Sequence, residues 1–349
     1  MKRTATNLFF LALPLLLGVI VVAILIVLVV PPNTTLGDVL QAFWNGAFRN
    51  LRRFSGVLVF WIPLTLVGIG LVITFRAGLW NIGVEGQMTL GGLFAAGLAF
   101  MLGEGSPLVI IPLCIFGAML GGALWASVAA FLKVRFGVSE IFSGVALNAI
   151  ANQITLQLIA GPWKPGDSDK AQYSRPVPDA ARLLGVSQDF NVSVVGLVVT
   201  IVAVVLVLLV LARTRWGLNL KAVGKNPRSA LLLGVPTTIT AFSALMVCGA
   251  LAGIAGSQRI LFTYGDVRGQ FAGGIGFLGL LVVLLISARG VWVPLIAFLF
   301  AIMLNGGTQL QFLNLDSSLT GVLQGALVLA VLLANGLRDR LRKPKQAKG

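Results

Sequence analysis

Apolar residues run along this chain in long blocks, without the two-residue alternation of a half-buried strand. Ten blocks can be marked: Leu8–Val30, Val57–Thr74, Val84–Leu102, Leu108–Leu132, Ile141–Ala160, Val192–Leu211, Ile239–Gly256, Gly273–Ile286, Val291–Leu304 and Leu319–Ala334. A helix needs about 20 largely apolar residues to cross a bilayer. The pattern therefore predicts an all-α integral membrane protein of about ten transmembrane helices, one domain over residues 1–349, although the eighth and ninth blocks are short. The first block follows Lys2 and Arg3, yet it is longer than the roughly 7–15 residues of a signal h-region, and Pro31-Pro32 follows without a small-residue cleavage pattern. It reads as a retained helix.

Four segments lie between or beyond the blocks. Residues 36–54 read as an external amphipathic interfacial segment. Residues 161–191 form an external loop rich in Pro, Asp and Ser, whose plainest reading is a solvated connector. Residues 213–236 form a cytoplasmic loop, and residues 338–349 a basic cytoplasmic tail suited to anionic membrane lipid.

Composition strengthens the membrane assignment. Of the 349 residues, 57% are apolar and 11% charged, against about 25% charged in a soluble domain. The net charge of +15 suggests nucleic acid until the charges are placed. With the N-terminus in the cytoplasm and ten crossings, 17 of the 26 basic residues but only 3 of the 11 acidic ones fall inside. The two sides carry about +14 and +1, as the positive-inside rule requires. Both termini are then cytoplasmic, and no nucleic-acid partner is needed. The chain has no His, which removes the usual neutral-pH base and commonest metal ligand. Its two cysteines, Cys114 and Cys248, stand far apart in apolar runs and read as buried free thiols, so no metal site is predicted.

The cytoplasmic loop carries a strong local signal. Asn226 suits an N-cap, Pro227 the first helical position and Gly234 the C′ position, and Pro236 stops continuation. A helix of about two turns results. Lys225, Arg228 and Ser229 point outward with Leu231–Leu233 behind them. Such a helix either docks into a cytoplasmic partner or caps its own bundle.

The run Gly217–Gly234 resembles the loop of ABC-transporter inner-membrane permeases of the branched-chain amino acid, ribose and nucleoside type. Two further runs resemble signatures of the nucleoside or simple-sugar subgroup: Phe75-Arg-Ala-Gly-Leu-Trp-Asn-Ile-Gly-Val-Glu-Gly-Gln87 and Gly137-Val-Ser-Glu-Ile-Phe-Ser-Gly-Val-Ala-Leu-Asn148. Ser139, Phe142-Ser-Gly144 and Ser229-Ala230 depart from the commoner residues at those places. The resemblance spans about Leu58 to Ala334. It implies the importer-type permease fold, and a coupling helix in which Gly224, Lys225, Asn226, Pro227, Arg228, Ser229, Leu232 and Gly234 meet an ATPase.

It further implies three partners: a second permease subunit, identical or homologous, a cytoplasmic ABC ATPase and an extracytoplasmic solute-binding protein. The location implied is a bacterial or archaeal inner membrane. The chain itself would bind no cofactor, with ATP and Mg on the ATPase, and would not be an enzyme. In agreement, no Walker A motif is present, since Asn226 follows Gly224-Lys225 and Asn219 holds the first-glycine position. The solute implied is a nucleoside, with a simple sugar or a branched-chain amino acid as alternatives.

Candidate pathway residues come from two blocks. Asn81, Glu85 and Gln87 lie among four glycines in residues 78–91, which suits either irregular backbone lining a cavity or a cytoplasmic turn with a polar helix start. Arg76 is the expected partner of Glu85. In the fifth block Asn148, Asn152 and Thr155 share one helical stripe, and Gln153 and Gln157 lie nearly opposite. One stripe suits a translocation path, the other a bond to a neighbouring helix, and both can equally be interhelical glue. Gly274-x-Gly276-x-x-Gly279 lacks the strand of a dinucleotide site and reads as helix packing, like Gly249-x-x-x-Gly253 and Gly117-x-x-x-Gly121. Two other classes stay open: an ion-coupled secondary transporter would need ionisable residues mid-membrane, and only Glu85 and Glu140, near span ends, are candidates, while a membrane-embedded enzyme would need a clustered acid, base or metal site, and none is visible in the sequence.

Overall fold

A computed structural model describes residues 20, 23–24, 35–166, 172–286, 288–311, 315–316 and 319–342. Among these residues all the regular elements are helical, and the only bridges are the isolated pairs Tyr173–Arg268 and Gly185–Ser193. The helices are α1 (Leu36–Phe48), α2 (Leu51–Arg76), α3 (Val84–Leu102), α4 (Pro107–Phe136), α5 (Glu140–Ala160), α6 (Val194–Arg213), α7 (Arg215–Lys225), α8 (Pro227–Leu232), α9 (Thr237–Gln258), α10 (Ile275–Leu285), α11 (Val293–Leu310) and α12 (Leu319–Arg342). Blocks two to ten of the sequence each coincide with one of them. The first block lies almost wholly outside the described residues, as does the tail beyond Arg342.

Five helical stretches are long and apolar enough to cross a membrane: Leu51–Arg76, Pro107–Phe136, Val194–Arg213, Thr237–Tyr264 and Gly290–Leu310. Ile275–Leu285 and Leu319–Ala334 are apolar but shorter. This is an all-helical, multi-pass membrane protein.

Residues 36–54, expected as one segment, divide between two helices. Thr35 and Asp38 form a capping box at the start of α1, with Asp38 N–H donating to Thr35 Oγ1 at 3.2 Å and Thr35 N–H to Asp38 Oδ2 at 2.7 Å. These hydrogen bonds, from the Thr35 backbone first and its hydroxyl second, hold the Asp38 carboxyl below its ordinary range. Helix α1 stops at Phe48, because Asn50 Oδ1 accepts from Arg53 N–H at 2.8 Å and opens α2. Arg52 and Arg53 therefore occupy the first turn of α2.

Two compact units divide the chain. Leu58–Phe298 form one, and the segments up to Val57 and from Leu299 form the other. The smaller unit has its own core of Val39, Ala42, Leu310, Leu315, Leu319 and Leu323.

The larger unit is built on α3, α4 and α9, which lie unusually close. A methyl group at Gly253 would overlap the Ala118 carbonyl, and one at Gly249 the Gly122 carbonyl. Backbones approach this closely only through small residues, and dispersion and interhelical hydrogen bonds hold membrane helices together in place of hydrophobic exclusion. Gly117 and Gly121 instead receive the side chains of Leu98 and Phe94. Cys114 and Cys248 are buried and free in this region.

Helix α9 continues as a π-helical turn, Arg259–Tyr264, closed by Gly265 with φ +74°. The chain from Gly265 to Gly274 is then non-helical before α10 begins. The loop after α5, described over residues 161–166 and 172–193, is folded against this turn: Ser174 N–H donates to Val267 O at 2.8 Å, Val177 N–H to Gly265 O at 2.8 Å and Leu183 N–H to Leu261 O at 2.9 Å. A solvated connector would leave those groups to water.

Candidate translocation site and coupling loop

The loop between α6 and α9 folds as its caps dictate. Asn226 Oδ1 accepts from Ser229 N–H at 3.1 Å, Pro227 takes the first helical position, and Gly234 has φ +80°. Gly234 N–H donates to Leu231 O and Val235 N–H to Ala230 O, both at 3.0 Å, satisfying carbonyls at the helix end. Only Ala230 is buried. Lys225, Arg228 and Ser229 face solvent, and so do the leucines: Leu231 is 61% exposed, Leu232 89% and Leu233 83%. The three leucines thus share the outward surface, where the sequence places them behind it.

A second helix in this loop, α7, has no counterpart in the sequence reading. Thr214 caps it by accepting from Gly217 N–H at 3.1 Å, and Leu220 and Val223 form its buried side. Helix α7 brings Gly224 against the turn after α2. A side chain at Gly224 would overlap the Arg76 carbonyl, and Gly78, with φ +74°, lies directly opposite. The Arg76 guanidinium Nη1 donates to Leu211 O at 3.1 Å, tying the same turn to the end of α6.

Past that turn the polar residues of the second signature are all buried. Asn81 and Gln87 exchange two amide hydrogen bonds of 2.9 Å, and Asn81 Nδ2 also donates to Cys248 Sγ at 3.2 Å. Glu85 does not pair with Arg76. Its Oε1 accepts from Gly274 N–H at 2.8 Å and its Oε2 from Gly276 N–H at 2.6 Å. Glu85 thus caps α10, whose first amides have no intrahelical acceptors. Gly276 fits because a side chain there would overlap Glu85, which gives the Gly274–Gly279 pattern its physical role.

Helix α5 docks on the same region. Asn148 Oδ1 accepts from Gly86 N–H at 2.7 Å and its Nδ2 donates to Ile82 O at 3.0 Å. Thr155 is buried and donates to Ala151 O at 2.9 Å, and Asn152 is half-buried. Gln153 and Gln157 are exposed. At the start of α5, Glu140 pairs with Lys133 and accepts from Trp80 N–H at 3.3 Å. The structure thus brings Asn81, Glu85, Gln87 and Asn148 into one buried polar cluster, with Asn152 and Thr155 further along α5.

One charged residue escaped the sequence reading. Arg259 is 4% exposed and sits in the π turn, where block seven ends too early to include it. Its Nε donates to Phe271 O at 3.2 Å, its Nη2 donates to the Tyr264 hydroxyl, and its guanidinium lies over the Phe60 and Tyr264 rings at 5.5 and 4.7 Å. It also interacts electrostatically with Glu85. Ile260-Leu261-Phe262 continue the apolar run beyond it, which was the available signal. Buried arginines at such positions are rare and tied to function.

Beyond the end of α3, a pocket of about 440 Å³ is lined by Phe100, Glu104, Arg175, Asp179 and Arg182 among others. The Arg175 guanidinium covers the Phe100 ring at 4.7 Å. A larger groove of about 630 Å³ between α6 and α9 is almost wholly apolar, lined by residues such as Val198, Val202, Leu206 and Ile254. It suits lipid chains better than a polar solute.

Residues 53–332 match the family described as branched-chain amino acid transport system / permease component. The chain belongs to this family. It is 31% identical over 296 residues to the glucose ABC transporter permease protein TsgB13 of Haloferax volcanii, covering 82% of this chain and 77% of that protein. It is 28% identical over 316 residues to the guanosine ABC transporter permease protein NupP of Bacillus subtilis, with 88% of each covered. A second guanosine permease protein of the same strain, NupQ, is 24% identical over 303 residues, covering 82% of this chain and 92% of NupQ. The protein is therefore an ABC transporter permease subunit, a transport component and not an enzyme.

Proposed function

We propose that this permease imports a nucleoside and works as one half of a pore whose ATP is hydrolysed on a separate ATPase. The observation that carries the coupling role is α8: three consecutive leucines exposed on a helix capped at both ends, flanked by Lys225 and Arg228. An isolated helix of six residues is not stable in water, so its capping and its attachment to α7 present a rigid knob. Closure of the ATPase dimer would push this knob. Gly224 would pass the displacement to Arg76 and Gly78 by backbone contact, and the turn leads within a few residues to Glu85 and the start of α10.

The guanosine permeases NupP and NupQ support the nucleoside reading, and their being two distinct proteins of one strain supports a homologous second subunit. The glucose permease, 31% identical, supports a simple sugar as the second reading. Ten crossings with both termini in the cytoplasm, an inner-membrane location and an extracytoplasmic solute-binding protein complete the proposal. They rest on the charge distribution and the family.

The test is uptake by proteoliposomes holding the complete transporter with its binding protein. Labelled guanosine should accumulate only with ATP. Accumulation of glucose alone would transfer the assignment to sugar, and solute uptake driven by a proton gradient without ATP would refute the importer reading.

A further inference from the structure

We infer that the apolar groove between α6 and α9 holds an acyl chain of an anionic phospholipid whose headgroup sits on Arg213 and Arg215. The groove is lined on α6 from Val198 to Val210 and on α9 from Ser243 to Ile254, with Ile73 of α2 and Met119 of α4 behind them. At 1.5 Å per residue the α6 wall is about 18 Å long. Protein shuts both ends. At one end α6 and α9 touch, because a side chain at Gly196 would overlap the Gln258 amide. At the other, Trp216 of α7 lines the groove and its Nε1 donates to Ser243 Oγ on α9 at 2.9 Å. Between these ends Val202, Leu206 and Val247 are exposed, so the groove opens to the side.

Length decides what can lie there. A membrane-spanning helix needs the whole of a hydrocarbon core about 30 Å thick, and either shut end would obstruct it. One leaflet is half that depth, and a lipid chain entering from the side can follow a groove of about 18 Å. Apolar walls around an empty space forfeit their dispersion contacts, which favours occupancy.

Charge selects the headgroup. From Val194 to Gln258, the stretch that contains α6 to α9, the chain has five cations, Arg213, Arg215, Lys221, Lys225 and Arg228, and no acidic residue. Arg213 ends α6 and Arg215 opens α7, directly before Trp216. Both are exposed, and neither forms an ion pair among the described residues. An indole at the end of an apolar groove with two arginines beside it repeats the layering of a lipid, with the ring at the boundary of chain and headgroup and the cations outside it. Guanidinium groups match a phosphate in a bidentate fashion. A zwitterionic headgroup brings its own cation to a surface that offers it no carboxylate.

The test uses the assembled transporter in nanodiscs of phosphatidylcholine, into which phosphatidylglycerol brominated on its acyl chains is titrated. Bromine quenches indole fluorescence on contact, and the Trp216 share is the difference between wild type and Trp216→Phe. Brominated phosphatidylglycerol should quench that share at a mole fraction about tenfold lower than brominated phosphatidylcholine requires. Arg213→Gln with Arg215→Gln should erase the difference, and Val202→Phe with Leu206→Phe, which fills the groove from its open side, should weaken quenching by both lipids. Equal quenching by the two lipids in the wild type, a comparison that needs no variant to fold, overturns the anionic headgroup. A preference that survives the arginine changes overturns its seat on Arg213 and Arg215. Quenching unchanged by the phenylalanines puts the chain outside the groove. No quenching of Trp216 by either lipid overturns the inference altogether and gives the groove to another protein segment, such as part of a second permease subunit.

Discussion

Glu85→Ala removes an acceptor that serves two amides at once. In the native protein the two carboxyl oxygens accept from Gly274 and Gly276 at 2.8 and 2.6 Å, and the group is buried. A hydrogen bond to a charged group contributes about 1.5–3 kcal/mol, and two such bonds are lost. The alanine variant should therefore lose about 4 kcal/mol. Glu85→Gln keeps one acceptor oxygen but replaces the other with a donor facing an amide, so a loss of about 2 kcal/mol is expected. For a unit of this size each kcal/mol lowers Tm by about 2–4 °C. Thermal unfolding of the purified complex in detergent should rank wild type above Glu85→Gln above Glu85→Ala.

Arg76 supplies the control. It donates to Leu211 O and makes no bond to Glu85, so the double variant Arg76→Gln/Glu85→Ala should be additive within about 0.5 kcal/mol. Coupling above about 1 kcal/mol would restore Arg76 as the partner. A Glu85→Ala protein as stable as wild type would refute the capping of α10 altogether.

Arg228→Glu with Leu232→Asp should abolish co-purification with the ATPase while Tm moves by no more than about 1 °C, since both side chains are exposed. Co-purification at the wild-type level would remove α8 from the coupling role. Gly224→Val forces a side chain into the Arg76 carbonyl and should leave the ATPase bound but cut ATP-dependent uptake at least tenfold. Asn148→Leu removes two bonds to the backbone at Ile82 and Gly86 and should cost about 2 kcal/mol, lowering thermal stability and uptake together. Gln153→Leu, on the exposed stripe, should lower uptake alone; the reverse pattern for the two variants would put the path on the Asn148 side.

Much of this architecture was legible in residues. Spans of apolar residues fix membrane helices because lipid demands internally satisfied backbone, and this demand is local. The caps of α8 were likewise readable, since Asn226, Pro227 and Gly234 act on their own neighbours. Helix α7 was not, because its stability comes from a buried side packed on other segments and from the fit of Gly224 to Arg76. The site was half legible. Asn81, Glu85, Gln87 and Asn148 stood out as polar residues in apolar surroundings, and the structure brings them into one cluster.

What the sequence by itself determined is the class, through a family-specific set of motifs and apolar spans. Tertiary structure alone decided the pairings. Glu85 took two amides about 190 residues away in place of the nearby Arg76. The fifth block presented Gln153 and Gln157 outward and buried Asn148 and Thr155 of the stripe that looked equally fit for a path. Arg259 became an interior residue because a π turn carried it inside. Each depends on which backbones meet, and close approach through glycine leaves only the absence of a side chain in the sequence, with no record of what fills the space.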